Sequence, residues 1–168
     1  MQREPSPRRL IGWAARLALG WSVLTLAGFP PPVRADGTPT PALGPEQTVT
    51  QYVEALKAGN FAAAYDCLSK GMAQNKDRAA WIKEQQWTMQ MSDAKIFDYH
   101  VYPGKTVGDK AFVPNLLHSQ DKFLNQLGVP EHELYTLVRE DGRWKIDQQQ
   151  LIERADESQW FPPQPADK

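Results

Sequence analysis

The sequence predicts an α+β fold: N-terminal helices packed on the concave face of one curved antiparallel β-sheet, giving a cone. Three observations carry this expectation. Val49, Tyr52, Val53 and Leu56 fall at i, i+3, i+4 and i+7, one face of a helix, and Phe61, Ala64, Tyr65 and Leu68 repeat the spacing. From Ala94 onward the texture changes to aromatic and β-branched residues in alternation, as strands require. Asp141-Gly142 between two alternating runs then marks a tight hairpin. Helices first and strands later is the α+β order.

The first helix is expected to open at Pro45, whose fixed φ suits an initial turn, with Glu46 favoured beside the positive end. Gly59 ends it, and Asn60 caps a second helix running from Phe61 to about Leu68. The spacing predicts a third helix from Asp77 to about Gln90, with Trp81, Ile82 and Met89 inward and Trp87 on a different arc. Residues 96–102 read as a strand with Phe97, Tyr99 and Val101 on one face and Ile96, Asp98, His100 and Tyr102 on the other. Lys110 to Leu117 reads as a second strand, with Pro114 implying an edge or a bulge. Ser119 looks like the cap of a short helix from Gln120 to Leu127, stopped by Gly128 and Pro130. In the closing hairpin a two-residue type I′ turn pairs Glu140 with Arg143. Arg139 then faces Trp144, Leu137 faces Ile146, and Tyr135 faces Gln148. A slip of one residue would bury Lys145 and expose Ile146, so this register is strongly specified.

Four segments are expected. Residues 1–35 read as a secretory signal: Arg3, Arg8 and Arg9, an apolar run over 17–29, Pro30 to Pro32, then the small-residue site Val33-Arg34-Ala35. An uncleaved anchor is the alternative. Residues 36–45 are a Pro/Gly/Thr linker, 46–152 the folded domain, and 153–168 a C-terminal tail ending in a proline-rich stretch. An exported location, periplasmic or extracellular, follows from the signal, with no stable membrane insertion once it is removed.

The whole chain carries 19 basic and 20 acidic residues. The first 35 hold five of the basic and one of the acidic, leaving a net charge of −5 beyond them. No Lys/Arg cluster remains there to serve as a nucleic-acid footprint. The single cysteine, Cys67, forms no internal disulfide and reads as a small buried apolar residue. His100, His118 and His132 lack the spacing of a zinc site, and neither a P-loop nor a dinucleotide fingerprint occurs. No metal and no cofactor are expected.

Several runs resemble the nuclear transport factor 2-like superfamily, which includes SnoaL-like and ketosteroid-isomerase-like proteins. They are Val49-x-x-Tyr52-Val53-x-Ala55-Leu56-x-x-Gly59-Asn60-Phe61-x-x-Ala64-Tyr65, then residues 108–113 (Gly-Asp-Lys-Ala-Phe-Val), then residues 140–146 (Glu-Asp-Gly-Arg-Trp-Lys-Ile). The resemblance spans about residues 45–150 and rests on scaffold positions. It implies a cone-shaped α+β fold with a pocket between sheet and long helix. It does not imply a reaction, since one fold hosts many. The Gln120–Leu127 helix departs from the family pattern as an insertion.

Asp98 and His100 are the best polar pair for chemistry, because i, i+2 spacing on a strand puts both on one face and a carboxylate can orient an imidazole base. Their alternation with the more apolar set places them on the outer face, where a solvated pair is the plainer reading. Tyr65, Trp81, Tyr99, Phe112 and Tyr135 are the candidate lining of an apolar ligand pocket, against the plainer reading that they fill the cone. The leading expectation is an exported, non-enzymatic domain engaging a partner protein or a small apolar ligand in the cell envelope, with homodimerisation through the open sheet as one mode. The alternative is a pocket enzyme of isomerase, dehydratase or cyclase type, which needs a buried carboxylate or histidine inside the cone.

Overall fold

A computed structural model describes residues 42–163. The expected signal segment 1–35, the expected linker up to residue 41 and the last five residues of the expected tail lie outside the described residues. Three helices lead into a five-stranded antiparallel sheet. They are α1 (Pro45–Lys57), α2 (Phe61–Tyr65) and α3 (Arg78–Ser92). The strands are β1 (Lys95–Val101), β2 (Lys105–Val107), β3 (Lys110–Gln120), β4 (Glu131–Glu140) and β5 (Arg143–Leu151), and a short α4 (Glu157–Trp160) follows.

The helix boundaries follow the cap chemistry. Pro45 occupies the first turn of α1, and Gly59 beyond its end has φ +69°, the left-handed conformation glycine adopts without strain. Asn60 accepts the N–H of Ala63 at 3.2 Å and Asp77 accepts that of Ala80 at 2.8 Å, each satisfying a free donor of the helix it starts. The second helix stops at Tyr65, short of the expected Leu68. Its successors are drawn to the sheet: the Ile146 N–H donates to the Cys67 carbonyl at 2.8 Å, and the Ser69 N–H donates to the Ile146 carbonyl at 2.8 Å.

The sheet order is β1-β3-β4-β5, with β2 also paired to β3. β1 and β2 therefore act as one outer strand interrupted at residues 102–104. That break accommodates Pro114 in central β3. Its carbonyl accepts the Tyr102 N–H at 2.9 Å, so its missing N–H faces the interruption. The chain passes so close here that a Cβ on Gly104 would meet the Phe112 carbonyl at 2.7 Å. Asp141 (φ 50°) and Gly142 (φ 75°) make the expected hairpin turn, and Glu140, Arg139 and Leu137 pair with Arg143, Trp144 and Ile146.

Two bulges shift side-chain parity away from simple alternation. One between Ile96 and Asp98 turns Phe97 outward, 53% exposed, and sets Ile96 with Tyr99 and Val101 against the core. The other lies beyond Leu137–Ile146, so Tyr135 pairs with Gln149 and not Gln148. The Gln120–Leu127 helix does not form. β3 continues through Gln120, and the Asp121 carboxylate takes the N–H groups of Phe123, Leu124 and Asn125, offering the backbone a turn in place of a helix.

The core lies between α1 and the concave face, with Val49, Val53, Val113, Tyr135, Leu137 and Ile146 all essentially inaccessible. On the opposite face residues 157–161 lie back over the sheet. The Phe161 ring packs edge-on between Tyr102 and His132, at 5.2 and 4.6 Å, and Trp160 lies 5.9 Å from Phe112. Ile146→Ala removes a side chain that is 0% exposed and is expected to cost about 2–5 kcal/mol, read as a lower urea midpoint at unchanged m-value.

Candidate functional site

Among the described residues, β4 carries the one carboxylate the cone encloses. Leu137, Tyr135 and Glu133 share a parity, so the strand that buries the first two buries the third, leaving Glu133 2% exposed. Register places Asn115 of β3 directly opposite Glu133 and Val113 opposite Tyr135. Asn115 Nδ2 donates to Glu133 Oε2 at 2.9 Å, the Tyr135 hydroxyl to the same oxygen at 3.0 Å, and Gln149 Nε2 to Oε1 at 2.7 Å. Tyr52 of α1 closes the group from above, its ring edge-on to Tyr135 at 6.1 Å. Asn115 Oδ1 is buried without a partner.

Burial pushes the Glu133 carboxyl up from its ordinary range, and its three hydrogen bonds only partly offset this. Among the described residues no hydrogen bond or ion pair brings a cationic group to either oxygen. Burial and then the Glu133 charge raise both tyrosines, so the phenols stay protonated. Both carboxyl oxygens are engaged by neighbours, and Tyr135 donates to one of them with Tyr52 packed on its ring.

The structure does not bring the sequence-derived candidates together. Asp98 and His100 are both exposed, and the His100 ring stacks edge-on to Tyr102 at 4.4 Å. Tyr65 and Trp81 form one aromatic pair, 5.7 Å apart, with the Tyr65 hydroxyl donating to the Lys76 carbonyl at 2.8 Å. Tyr99 donates to Glu54 Oε1 at 2.8 Å, and burial, then that carboxylate, pushes its phenol up to about 12. Phe112 lies against Trp160 on the far face of the sheet, since Ala111 and Val113 take the inward positions. Of the five, only Tyr135 joins Glu133. Cys67 is buried and its thiol is pushed up to about 11, chiefly by burial. Among the described residues no cluster of His, Cys, Asp and Glu is arranged to hold a metal.

The sequence reading missed Glu133, Asn115, Gln149 and Tyr52 as a unit. The parity already assigned to Leu137 and Tyr135 extends to Glu133 without further assumption. The β5 bulge, which brings Gln149 to its place, left no comparable signal.

A second feature stands on the surface. The β3–β4 loop exposes Phe123, Leu124, Leu127 and Val129, at 64, 65, 89 and 55%. These residues and Pro130 line an open hollow.

No protein-family model and no curated protein matches the sequence. Solved structures do share its shape. A SEC-C motif containing protein from Rhodopseudomonas palustris aligns with a TM-score of 0.51 at 14% identity, covering 65% of this chain and 79% of that one. A ketosteroid isomerase-like protein from Erwinia carotovora atroseptica aligns at 0.45 and 18% identity, over 62% and 89%. Bd1075 of Bdellovibrio bacteriovorus aligns at 0.45 and 10% identity, over 63% of this chain but only 39% of that longer one. The likeness is one of fold. The element order, helices followed by a curved antiparallel sheet, is the α+β arrangement the sequence predicts.

Because the folded state holds the Glu133 proton more tightly than the unfolded chain, unfolding releases it. The stability Glu133 contributes is therefore fully present below the ordinary carboxylate range and is lost as pH rises through the elevated folded value. Urea midpoints measured from pH 5 to 8 are expected to decline, and Glu133→Gln to flatten that slope.

Proposed function

We propose that this chain is an exported, non-enzymatic binding module that works through its outer surface and not through a cavity in the cone. The observation behind this reading is the filled interior: Tyr52 and Tyr135 meet edge to face, and both oxygens of the Glu133 carboxyl are spent on Asn115, Tyr135 and Gln149. A guest would have to displace those contacts. The exposed apolar side chains of the β3–β4 loop supply binding surface instead, and exposed apolar patches of this kind mark interaction sites.

One observation favours a second reading, a pocket enzyme. Glu133 is the enclosed carboxylate which that reading requires, and it sits beside two phenols. The two readings separate on the interior. An environment-sensitive apolar dye titrated into the protein is expected to show no saturable site that Glu133→Gln or Tyr52→Phe alters. Saturable binding that either variant shifts tenfold, about 1.4 kcal/mol, would overturn the outer-surface reading in favour of the pocket.

A further inference from the structure

We propose that residues 157–163 are an autoinhibitory strap. They fill, in cis, a groove on the convex face of the sheet that takes an extended peptide with adjacent aromatic residues followed by proline. A partner protein presenting such a segment displaces them. The inference rests on the outer-surface reading and adds a second, regulated surface to it. The chain's own tail is the occupant, and its contacts show what the groove reads. The Phe161 ring is 5% exposed, held edge-on by Tyr102 and His132 at 5.2 and 4.6 Å. The Trp160 ring lies 5.9 Å from Phe112, with Lys105 Nζ 4.9 Å from its centroid, a cation over an aromatic face. Lys105 Nζ also donates to the Gln159 carbonyl at 3.3 Å, and His132 Nδ1 lies 3.4 Å from Glu157 Oε1. Thus β4, β3, β2 and the β1–β2 break each give the groove one side chain: His132, Phe112, Lys105 and Tyr102. Phe161 has φ −113° and ψ 146°, the extended backbone that a following proline favours. An aromatic-lined groove holding an aromatic–proline segment is a recurring mode of peptide recognition.

The hold is local and shallow. Of residues 153–163 only Phe161 is buried, and the link from β5, residues 153–156, is exposed throughout. α4 spans four residues and has no side-chain cap. The Ile152 N–H ties the end of β5 to the His132 carbonyl at 2.7 Å. Beyond it the N–H groups of Asp156, Gln159 and Phe161 bond within the segment, to the carbonyls of Glu153, Asp156 and Glu157. A segment with one buried side chain and self-contained hydrogen bonds opens without disturbing the sheet. The core between α1 and the concave face stays packed when it does. A short tether gives the docked segment an effective concentration on the order of millimolar. The strap therefore excludes weak peptide contacts and yields to a segment that binds the groove better or is itself held close.

The test uses the full chain and a fluorescent peptide of residues 156–163, Asp-Glu-Ser-Gln-Trp-Phe-Pro-Pro. In one protein Trp160→Ala with Phe161→Ala undocks the strap; the other is unaltered. Fluorescence anisotropy is expected to show saturable binding of the peptide to the undocked chain. Affinity for the unaltered chain should be roughly tenfold weaker or more, because its groove is occupied. A peptide with both aromatic residues changed to alanine should bind neither. Hydrogen exchange on the unaltered chain reads the same device without any substitution: the Phe161 N–H should exchange by local opening, well before that of Ile146. The proposal is overturned by no binding to the undocked chain, by equal binding to both chains or of both peptides, or by a Phe161 N–H as protected as that of Ile146. A full chain that sediments as a dimer and becomes a monomer on undocking also overturns it, since the groove would then hold a second copy's tail. Each of these leaves the outer-surface reading standing. A saturable interior site that Glu133→Gln shifts would instead sink that reading.

Discussion

The helical cover is fastened to the sheet at Ile146. Its N–H and carbonyl face away from β4, and both are taken by the segment just after α2, through Cys67 and Ser69. Those two hydrogen bonds complete an exposed strand edge with a short parallel bridge at Leu68. They also set the height at which α1 and α2 stand above the concave face. With Ile146 so held, its side chain meets Leu137 across the ladder, and the remaining inward positions of β3 and β4 must fill with what α1 presents: Val49, Tyr52 and Val53. Ser69 strengthens the same corner, its hydroxyl donating to Asp147 Oδ1 at 2.7 Å and accepting the Met72 N–H at 2.9 Å.

What could be read in advance was local. Gly59-Asn60 and Asp141-Gly142 dictate conformation through their own side chains or lack of them, so α1, the start of α2 and the closing hairpin fell where the residues placed them. Parity near a bulge was not legible. Nothing in the alternation at Phe97 or Asp147 announces an inserted residue, because a bulge is a property of two strands and appears only when the partner's register is known. Phe97 and Phe112 were misplaced for related reasons: both were read as inward from apolarity, and β3's pairing gave those positions to Ile96, Ala111 and Val113. Residues 120–127 have helical spacing of apolar residues, yet that pattern describes side chains left in water around an Asp-centred turn. Hydrophobic periodicity predicts a helix only when something buries the stripe.

The placement of the apolar and polar groups runs against the usual division of labour in this architecture. The most polar constellation, Glu133 with Asn115, Gln149 and two tyrosines, lies where the core should be greasiest, and four of the largest exposed apolar side chains sit on a loop. Burying a carboxyl costs free energy, and three hydrogen-bond donors offset only part of that cost, which leaves its pKa raised. The cluster joins β3, β4 and β5 across three strands through side chains alone, so it pins their relative register where the β5 bulge would otherwise let it drift. A sheet of purely aliphatic contacts tolerates small slips; a carboxyl needing three donors from two other strands and its own does not.

That specificity has a consequence for the surface. The loop that displays Phe123, Leu124, Leu127 and Val129 connects β3 to β4, the two strands that Asn115 and Glu133 tie together, and its stems meet through the Ser119 hydroxyl on Glu131 Oε2 at 2.8 Å. A rigid stem matters to an apolar tip. If the strands frayed there, the tip would fold back onto the sheet and bury itself, which hydrophobic collapse favours. Holding it outward requires a stiff backbone beneath it, and Asp121 and Asn125 bind that backbone at several points while the polar ladder from Ser119–Glu131 down to Asn115–Glu133 holds the stems. On this argument the polar groups inside the cone and the apolar groups outside it are two ends of one device: the interior gives up its cavity to the frame, and the frame presents the tip.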